Sequence, residues 1–560
     1  MDMTIKKALD RTANERPEQP ALRFFRDGAW RTRSFGALRA GARRVAEMLA
    51  ESGVAPGDRV ALSGENAPEW YEAYHGIVGV GATAVPVDAK LPEQELAHVL
   101  RDAGVSVVFC SLDRAEMLAE MEALLPGLRL AIVSAEEGAE LPPAGRVVFR
   151  DRATWEKAVS ARAESPDRAF DRFGPEEETV ASIIYTSGTT GRAKGAMLTH
   201  RNFMANVESV AKAIEVRRSD RFFLVLPLHH AFAFTTMLAL PAYVGCEVAI
   251  GRSLRTIAPD MAAVEPTAFL AVPLLLEKML ARIEGEVRKR SAGRALMRMG
   301  LGRLAGRKVR AQLGGRLRLV VSGGAPIAPE TLRGWRRLGF PIVEGYGITE
   351  TAPVLTLNPP EAPRFGTVGL PISGVEIRID APEAEGVGEI LARGPNVMKG
   401  YYGRPEATEE ALCEGWYRTG DLGRFDEKGY LVVSGRKKNL IVTREGKNVY
   451  PEEVEQVVAR SELVLECLVL GYRDPGDAVG ERVGMLVVPD REAIARLEDA
   501  EGRRFSDEEV ERRVRESIRR RLAELADYKR PRKIRLRYEE FEKTGTKKIK
   551  RYLYAVDTSG

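Results

Sequence analysis

One segment rich in glycine and threonine, YTSGTTGRAKGAM at residues 185–197, constrains the chain more than any other stretch. The apolar run ASIIY precedes it and predicts a strand that leads into a loop. Glycines let backbone N–H groups turn inward, hydroxyls donate further hydrogen bonds, and the lysine adds a full positive charge. The segment therefore predicts a polyphosphate-binding loop, because a flexible linker would not follow an apolar strand. Its candidate ligands are Thr186, Ser187, Gly188, Thr189, Thr190, Gly191 and Lys194.

The spacing of this loop separates it from another class of nucleotide-binding proteins. It is GxxGxxKG, whereas the Walker loop is GxxxxGK followed by serine or threonine. We also find no Walker aspartate, so a P-loop kinase or ATPase is not expected.

The length and the apolar pattern predict two domains. A chain of 560 residues exceeds what one hydrophobic core usually serves. Short apolar runs such as RVALSG (59–64) and TAVPVD (83–88) alternate with helical patterns, which predicts an α/β domain with largely parallel sheets. After Asp421 the pattern changes to short antiparallel strands and helices, which predicts a small, mobile α+β domain. We place the two domains at residues 1–434 and 435–560.

Composition excludes several kinds of site and segment. The chain is 44% hydrophobic and 29% charged, as is usual for a soluble globular protein. Its four cysteines and five histidines have no metal-ligand spacing, so no zinc site is expected. The N-terminus has no signal-peptide core, and no uncharged apolar stretch reaches about 18 residues. We therefore expect a cytoplasmic protein without a transmembrane helix.

Positive charge is concentrated in one stretch. Between Arg282 and Arg316 there are eleven Lys and Arg residues against two Glu residues, although the net charge of the whole chain is only +5. No aromatic residues are interleaved with these charges, so nucleic-acid binding by base stacking is not indicated. The stretch suits a peripheral helix on an anionic membrane, and a solvated charged face is the alternative.

Four other segments place glycine or polar side chains directly after apolar runs. In VEGYGITET (343–351), the glycines allow close backbone approach while Thr349 and Glu350 supply a hydroxyl and a carboxylate. The remaining three segments are SGGAP (322–326), WYRTGD (416–421) and LPLHHAFAF (226–234). Each could also be an ordinary turn, a capped turn or a core histidine if it stood alone.

Taken in order along the chain, these motifs resemble those of the adenylate-forming superfamily, which includes acyl-CoA synthetases, luciferases and the adenylation domains of peptide synthetases. The resemblance runs from residue 185 to residue 551 and includes KTGTKKIKRYL near the end of the chain. It implies that a carboxylate attacks the α-phosphorus of ATP, giving an acyl-AMP and pyrophosphate, and that the acyl group then passes to a thiol. ATP, Mg²⁺ and coenzyme A are the co-substrates and cofactors that it implies.

The resemblance assigns four catalytic candidates. Glu350 would hold magnesium on the phosphates, and Thr349 would contact the α-phosphate. His230 would lie at the carboxylate end of the acyl pocket. Lys548 would bridge the carboxylate and the phosphate during adenylation, although Lys547 stands where the family usually has glycine.

The resemblance also assigns the nucleotide and coenzyme A contacts. Tyr346 would pack against adenine, and Asp421 with Arg436 would bind the ribose. The small domain would rotate about Lys438 after adenylation, and Gly446 would then line the pantetheine tunnel. The remaining cofactor-binding candidates are Gly324, Ala325, Glu344, Gly345 and Gly347. Ala193 departs from the family, which usually has proline there, and Ala233 replaces a usual glycine.

Two segments bear on the substrate. VPLLLEKML (272–280) and GKNVYPEEVE (446–455) resemble fatty acyl-CoA synthetases more than aryl or amino-acid activators. A medium- or long-chain fatty acid is therefore the expected substrate, and coenzyme A the expected acceptor. The alternatives are a fatty acyl-AMP ligase that loads a carrier protein and a CoA ligase for another lipophilic acid. A homodimer is left open.

Overall fold

The computed structural model describes residues 3–161, 169–186, 193–289, 302–383, 385–473, 480–543 and 549–555. The chain forms two compact units. The first comprises Met1–Ile377, Ala392–Arg418 and Glu427–Leu431, and the second comprises Arg378–Leu391, Thr419–Asp426 and Val432–Gly560. The single boundary expected after residue 434 stays a prediction.

The strands of the described residues are short, and most are apolar. In chain order they are β1 (Pro20–Arg26), β2 (Ala29–Ser34), β3 (Arg59–Ser63), β4 (Thr83–Val87), β5 (Val107–Ser111), β6 (Leu130–Ser134), β7 (Val148–Asp151), β8 (Val180–Thr186), β9 (Lys194–Thr199), β10 (Arg221–Leu224), β11 (Glu247–Ile250), β12 (Ala268–Ala271), β13 (Leu319–Ser322), β14 (Ile342–Gly347), β15 (Val354–Leu357), β16 (Leu370–Pro371), β17 (Glu376–Asp380), β18 (Gly388–Arg393), β19 (Gly400–Tyr401), β20 (Leu412–Cys413), β21 (Trp416–Phe425), β22 (Leu431–Arg436), β23 (Ile441–Val442), β24 (Asn448–Val449), β25 (Val464–Tyr472), β26 (Arg482–Pro489) and β27 (Lys533–Leu536).

The α-helices of the described residues alternate with these strands. In chain order they are α1 (Ile5–Glu15), α2 (Phe35–Glu51), α3 (Pro68–Gly79), α4 (Glu93–Asp102), α5 (Leu112–Glu120), α6 (Arg152–Ala161), α7 (Ala169–Arg172), α8 (His200–Ala213), α9 (Ala231–Phe234), α10 (Leu240–Val244), α11 (Ile257–Val264), α12 (Pro273–Lys289), α13 (Gly302–Gln312), α14 (Pro329–Arg337), α15 (Pro405–Ala411), α16 (Pro451–Val458), α17 (Arg491–Glu501) and α18 (Asp507–Leu522).

Two large sheets dominate the fold. One has nine strands in the order β16-β15-β14-β13-β12-β10-β11-β1-β2, and the other has eight in the order β19-β9-β8-β4-β3-β5-β6-β7. In the nine-stranded sheet the neighbouring strands β14, β13, β12, β10, β11 and β1 pair in parallel. In the eight-stranded sheet the neighbouring strands β8, β4, β3, β5, β6 and β7 pair in parallel. Strands β3 and β4 are buried along nearly their whole length and read as continuous apolar runs, which is why the sequence predicted them.

The smaller sheets belong to the later part of the chain. Strands β17, β18, β21 and β20 form a sheet in that order, with β22 beside β21. Strands β25, β26 and β27 form a three-stranded sheet, and β23 pairs with β24. The expected fold class, a large α/β domain with largely parallel sheets followed by a smaller α+β domain, is confirmed.

Local sequence signals explain where several helices begin. Helix α8 begins with a capping box, because Thr199 accepts a hydrogen bond from the Asn202 backbone while the Asn202 side chain accepts one from Thr199. Helices α3 and α16 begin with Pro68 and Pro451, where a missing N–H costs nothing. The resulting core of the first unit includes Tyr74, Phe203 and Phe234, all fully buried.

Parallel strand ends position the candidate site. Strands β12, β13 and β14 are neighbours in the nine-stranded sheet, so the loops that follow their carboxyl ends lie along the same edge. Ligands of open α/β sheets bind outside this edge. The SGGAP segment begins at the last residue of β13, and the segment GITET begins at the last residue of β14.

Candidate active site

The predicted phosphate loop joins two antiparallel strands. Thr186 is the last residue of β8 and Lys194 is the first of β9, and the two are register partners. Ser187, Gly188, Thr189, Thr190 and Gly191 lie outside the described residues. Their assignment as phosphate ligands stays a prediction.

Two side chains of α4, His98 and Asp102, contact the residues that flank this loop. His98 Nε2 lies 3.1 Å from the carbonyl oxygen of Ala193, the residue that stands in place of the usual proline. The Tyr185 hydroxyl donates to Asp102 at 2.8 Å, and Arg404 ion-pairs with the other oxygen of that carboxylate. Burial raises the pKa of Tyr185, and the hydrogen bond and charge of Asp102 raise it further. These anchors were not predicted from the sequence.

A carboxylate lies beside Thr186, the last residue of β8. Glu350 follows β14 in a short 3₁₀ turn, and its Oε1 accepts a hydrogen bond from Thr186 Oγ1 at 3.4 Å. The hydroxyl of Tyr401 donates to the same oxygen at 3.0 Å. The ammonium of Lys194 lies 5.4 Å from the centre of the Tyr401 ring. The structure therefore brings Thr186, Lys194 and Glu350 together, with Tyr401 among them.

The glycines of the GYG segment are required by close packing. A Cβ on Gly345 would lie 2.6 Å from the Leu357 side chain, and one on Gly347 would lie 2.0 Å from the Pro353 carbonyl oxygen. Between them, Tyr346 is half-buried and packs against the main core. The turn that carries Thr349 and Glu350 thus packs closely against β15, and at Gly347 the backbone of Pro353 leaves no room for a side chain larger than hydrogen.

Glu344 is a buried acid at the end of β14. Its side chain accepts a hydrogen bond from the Ile327 backbone, but its Oε2 has no partner among the described residues. Ser322, its register partner on β13, also has a buried hydroxyl that no group in the described part of the chain contacts by a hydrogen bond. Burial raises the pKa of Glu344 to about 8, so the group is largely neutral at pH 7. A neutral acid here would not repel the phosphates of a nucleotide.

The SGGAP segment turns beside an aromatic ring. A Cβ on Gly323 would lie 3.1 Å from the Phe232 ring, so glycine lets the segment pass close to it. Gly324 has φ +86°, in the left-handed region, and Val272 lies near it. Gly324 and Ala325 are exposed. Phe232 and Val272 thus give this end of the sheet an apolar wall.

His230 is half-buried at the start of α9, two residues before Phe232. Its ring centre lies 4.0 Å from that of His229. His229 Nε2 is 3.8 Å from Asp88 Oδ2, and burial lowers the pKa of His229 while the charge of Asp88 opposes this effect. His230 therefore precedes the helix that carries Phe232, and its position near an acyl group stays a prediction.

The expected ribose pair is preformed in the second unit. Arg436 Nε lies 2.7 Å from Asp421 Oδ1, and the aspartate is buried. Gly420 precedes it with φ +68°, and the backbone N–H of Asp421 donates to Thr419 Oγ1 at 3.0 Å. Strand β21 therefore holds a buried carboxylate that is already paired with Arg436, and its role in binding ribose stays a prediction.

Three other candidates belong to the second unit. Lys438 is exposed in a 3₁₀ turn, Lys437–Asn439, directly after β22. Gly446 has φ +69° in an exposed turn between β23 and β24, where its N–H donates to the Thr443 carbonyl at 2.9 Å. Lys548 and its neighbour Lys547 lie outside the described residues. The hinge, tunnel and bridging roles of these residues stay predictions.

The residues beside the phosphate loop fit a magnesium ion that arrives with a nucleotide. The described residues contain no cluster of three or more His, Cys, Asp and Glu side chains that could hold a metal alone. Glu350 supplies one carboxylate, and Mg²⁺ commonly binds one or two carboxylates together with substrate phosphates and waters. The donor set therefore fits a metal·nucleotide complex better than an isolated metal site.

Comparison with known proteins agrees with this geometry. Residues 9–402 match the family of AMP-binding enzymes, and residues 453–548 match the AMP-binding enzyme C-terminal domain. The chain is 33% identical over 499 residues to the long-chain-fatty-acid–CoA ligase FadD15 of Mycobacterium bovis, covering 84% of this chain and 79% of that protein. It is 34% identical over 456 residues to a feruloyl-CoA synthase of Amycolatopsis sp, covering 80% and 81%.

A solved structure matches along the whole chain. The o-succinylbenzoate coenzyme A synthetase of Bacillus subtilis, in complex with ATP and a magnesium ion, is 26% identical. The match covers 99% of each chain with a TM-score of 0.75.

None of the helices among the described residues combines the length and the apolar character that crossing a membrane requires.

Proposed function

The chain belongs to the family of AMP-binding enzymes and is an AMP-forming acid–CoA ligase, and on this premise we propose that its acid is a medium- or long-chain fatty acid. The observation that carries the proposal is the 33% identity to a long-chain-fatty-acid–CoA ligase over 84% of the chain. The apolar wall formed by Phe232 beside Gly323 and Val272 beside Gly324 supports it, because an alkyl chain needs apolar lining.

In the first half-reaction, a carboxylate oxygen of the acid attacks the α-phosphorus of ATP. The bond between the α-phosphorus and its bridging oxygen breaks, and pyrophosphate leaves. Glu350 would hold Mg²⁺, which when bound neutralises phosphate charge, and Lys194 would add a positive charge beside it. Thr349 would contact the α-phosphate, and Lys548 would approach the reacting oxygens. Fixed charges of this kind stabilise the transition state because they need no reorganisation.

The nucleotide would be held by groups that are already oriented. Asp421 would accept hydrogen bonds from the ribose hydroxyls while Arg436 keeps its carboxylate in place at 2.7 Å. Tyr346 would pack against adenine beside Gly324 and Ala325. The neutral form of Glu344 would add no further negative charge near the phosphates.

In the second half-reaction, the sulfur of coenzyme A attacks the acyl carbonyl, the thioester forms and AMP leaves. We propose coenzyme A as the acceptor because both curated relatives described above are named for CoA thioester formation. A carrier protein is the alternative acceptor. Lys438 and Gly446 would serve this step as hinge and tunnel lining.

We also propose that a basic helix brings the enzyme to anionic membranes, where fatty acids accumulate. Helix α13 buries Gly302, Gly306 and Val309 on one side. Its other side exposes Leu304 together with Arg303, Arg307 and Lys308. An exposed apolar residue among cations is typical of helices that lie on a membrane surface.

The substrate proposal is tested by pyrophosphate release and product mass across a series of saturated fatty acids, with ferulic acid beside them. We expect kcat/KM to be highest for medium or long chains and acyl-CoA with AMP to form only when coenzyme A is present. Higher kcat/KM for ferulic acid would refute the fatty-acid assignment. Adenylate formation without thioester formation would favour the carrier-protein alternative.

A further inference from the structure

The side chain of Tyr401 contacts Glu350 and Lys194 of the predicted phosphate site and also Tyr417. Its hydroxyl donates to Glu350 Oε1 at 3.0 Å, its ring lies 5.4 Å from the ammonium of Lys194, and its oxygen lies 3.3 Å from the Tyr417 hydroxyl. The phosphate-loop motif contains only one of these residues. Nothing in the sequence around GYYG indicated a role in nucleotide chemistry.

The chemistry of the groups fixes the direction of this hydrogen-bond chain. An ionised carboxylate can only accept hydrogen bonds, and a tyrosine hydroxyl has one proton to donate. Tyr401 must therefore give its proton to Glu350, so the contact with Tyr417 is made by the Tyr417 proton. The chain runs from Tyr417 through Tyr401 to Glu350.

The backbone around Tyr401 is held by the same strand that carries Lys194. Tyr401 pairs with Ala196 of β9, and its N–H donates to Thr408 Oγ1 at 2.9 Å. The N–H of the next residue, Tyr402, donates to the Gly195 carbonyl at 2.8 Å. The ring and its hydroxyl therefore have a defined position relative to Lys194.

The consequence concerns the second oxygen of Glu350. Oε1 accepts from both Thr186 and Tyr401, at 3.4 and 3.0 Å. Among the described residues, Oε2 accepts no hydrogen bond. Two donors on one oxygen fix the rotation of the carboxylate, which leaves Oε2 as the oxygen that a cation can use.

We propose that Tyr401 is a positioning residue, which orients Glu350 towards a magnesium ion through its hydroxyl and holds Lys194 near the phosphates through its ring. This inference rests on the proposed nucleotide chemistry. It assigns different tasks to two parts of one side chain, so variants can separate them. The hydroxyl should affect metal binding, and the ring should affect nucleotide binding in the absence of metal.

The test is a set of binding titrations with the full chain and a non-hydrolysable ATP analogue. Mn²⁺ replaces Mg²⁺, and its binding to the protein·nucleotide complex is followed by electron paramagnetic resonance. Tyr401→Phe should weaken Mn²⁺ binding roughly tenfold, because a hydrogen bond to a charged group is lost. The affinity for the nucleotide without metal should change less than about twofold, since the ring remains. Tyr401→Leu should weaken both.

Two further variants act as controls. Tyr417→Phe removes the donor one step back and should weaken Mn²⁺ binding by less than Tyr401→Phe does. Tyr430→Phe removes a hydroxyl that donates to the Ala362 carbonyl at 2.9 Å elsewhere in the first unit, and should leave both affinities unchanged. The melting temperature of every phenylalanine variant is measured beside the titrations, because a general loss of structure would lower it.

The outcomes separate the two levels of the argument. If Tyr401→Phe binds Mn²⁺ as tightly as the wild-type chain, or weakens metal-free nucleotide binding equally, the positioning role is wrong while the nucleotide chemistry stands. If the wild-type chain binds neither nucleotide nor Mn²⁺·nucleotide, the proposed function fails and the positioning role fails with it.

Discussion

Replacement of Glu344 by glutamine should make the first unit more stable, and by an amount that depends on pH. The carboxyl group is buried, with 6% of its residue surface exposed, and its pKa rises from 4.5 to about 8. Glutamine keeps an oxygen for the Ile327 N–H and has nearly the same shape, but it cannot ionise. The substitution therefore removes the ionisation and little else.

The size of the effect follows from proton linkage. Below pH 4.5 the carboxyl is protonated in both the folded and the unfolded chain, and the proton contributes its full stabilisation. As pH rises from 4.5 to about 8, the unfolded chain releases the proton while the folded chain keeps it, so wild-type stability falls. Each pKa unit is worth about 1.4 kcal/mol, so Glu344→Gln should gain about 3 kcal/mol relative to wild type between pH 5.5 and pH 8.

The assay is urea unfolding followed by tryptophan fluorescence at several pH values. All five tryptophans (Trp30, Trp70, Trp155, Trp335 and Trp416) belong to the first unit, so fluorescence reports on the unit that contains Glu344. Glu361→Gln is the matched control, because Glu361 is exposed in the same unit, and it should change stability by less than about 0.5 kcal/mol. A stability difference for Glu344→Gln that stays constant from pH 5.5 to pH 8 would refute the reasoning.

Three further outcomes are expected. Asp421→Ala should raise KM for ATP roughly tenfold or more, because the ribose contacts are lost and Arg436 loses its partner. The control is Glu389→Gln, which breaks a 2.9 Å pair with Lys437 in the same unit. An equal rise in KM for ATP in both variants would contradict the ribose role of Asp421. Lys438→Pro should leave acyl-AMP formation intact and slow thioester formation, since proline fixes φ, and normal thioester formation would place the hinge elsewhere. Binding to anionic vesicles should weaken as the salt concentration rises, because charges are screened over about 8 Å at physiological ionic strength. It should weaken further when Arg303, Arg307 and Lys308 are replaced by glutamine. A vesicle flotation assay that shows no binding at low salt would leave only a solvated charged face.

The parts of the fold that were predictable are those set by local pattern. Strands β3, β4, β5 and β6 are buried on both faces, so each appears in the sequence as an apolar run bounded by polar residues. Glycine and hydroxyl patterns also predicted the position of the segment between β8 and β9, and its role as a phosphate loop stays a prediction.

The parts that were missed depend on pairing between distant segments. Tyr401 reaches Glu350 because β19 pairs with β9, a strand about two hundred residues earlier in the chain, and no local pattern records that pairing. The contacts of His98 with Ala193 and of Asp102 with Tyr185 have the same origin. The protonation of Glu344 was also hidden, since it depends on burial rather than on neighbouring residue types.

The central claim is that the chain activates an acid as an acyl-adenylate before it makes a thioester, and a single-turnover experiment tests it most directly. Enzyme in excess is mixed with a fatty acid, ATP and Mg²⁺, and the quenched products are separated before and after coenzyme A is added. We expect acyl-AMP and pyrophosphate to form first in equal amounts, and the acyl-AMP to be converted to acyl-CoA and AMP only after coenzyme A is added. In Lys548→Ala, the first step should slow by about 10²–10³-fold while preformed acyl-AMP still reacts with coenzyme A. Formation of ADP and phosphate, or of acyl-CoA without an intermediate acyl-AMP, would contradict the account.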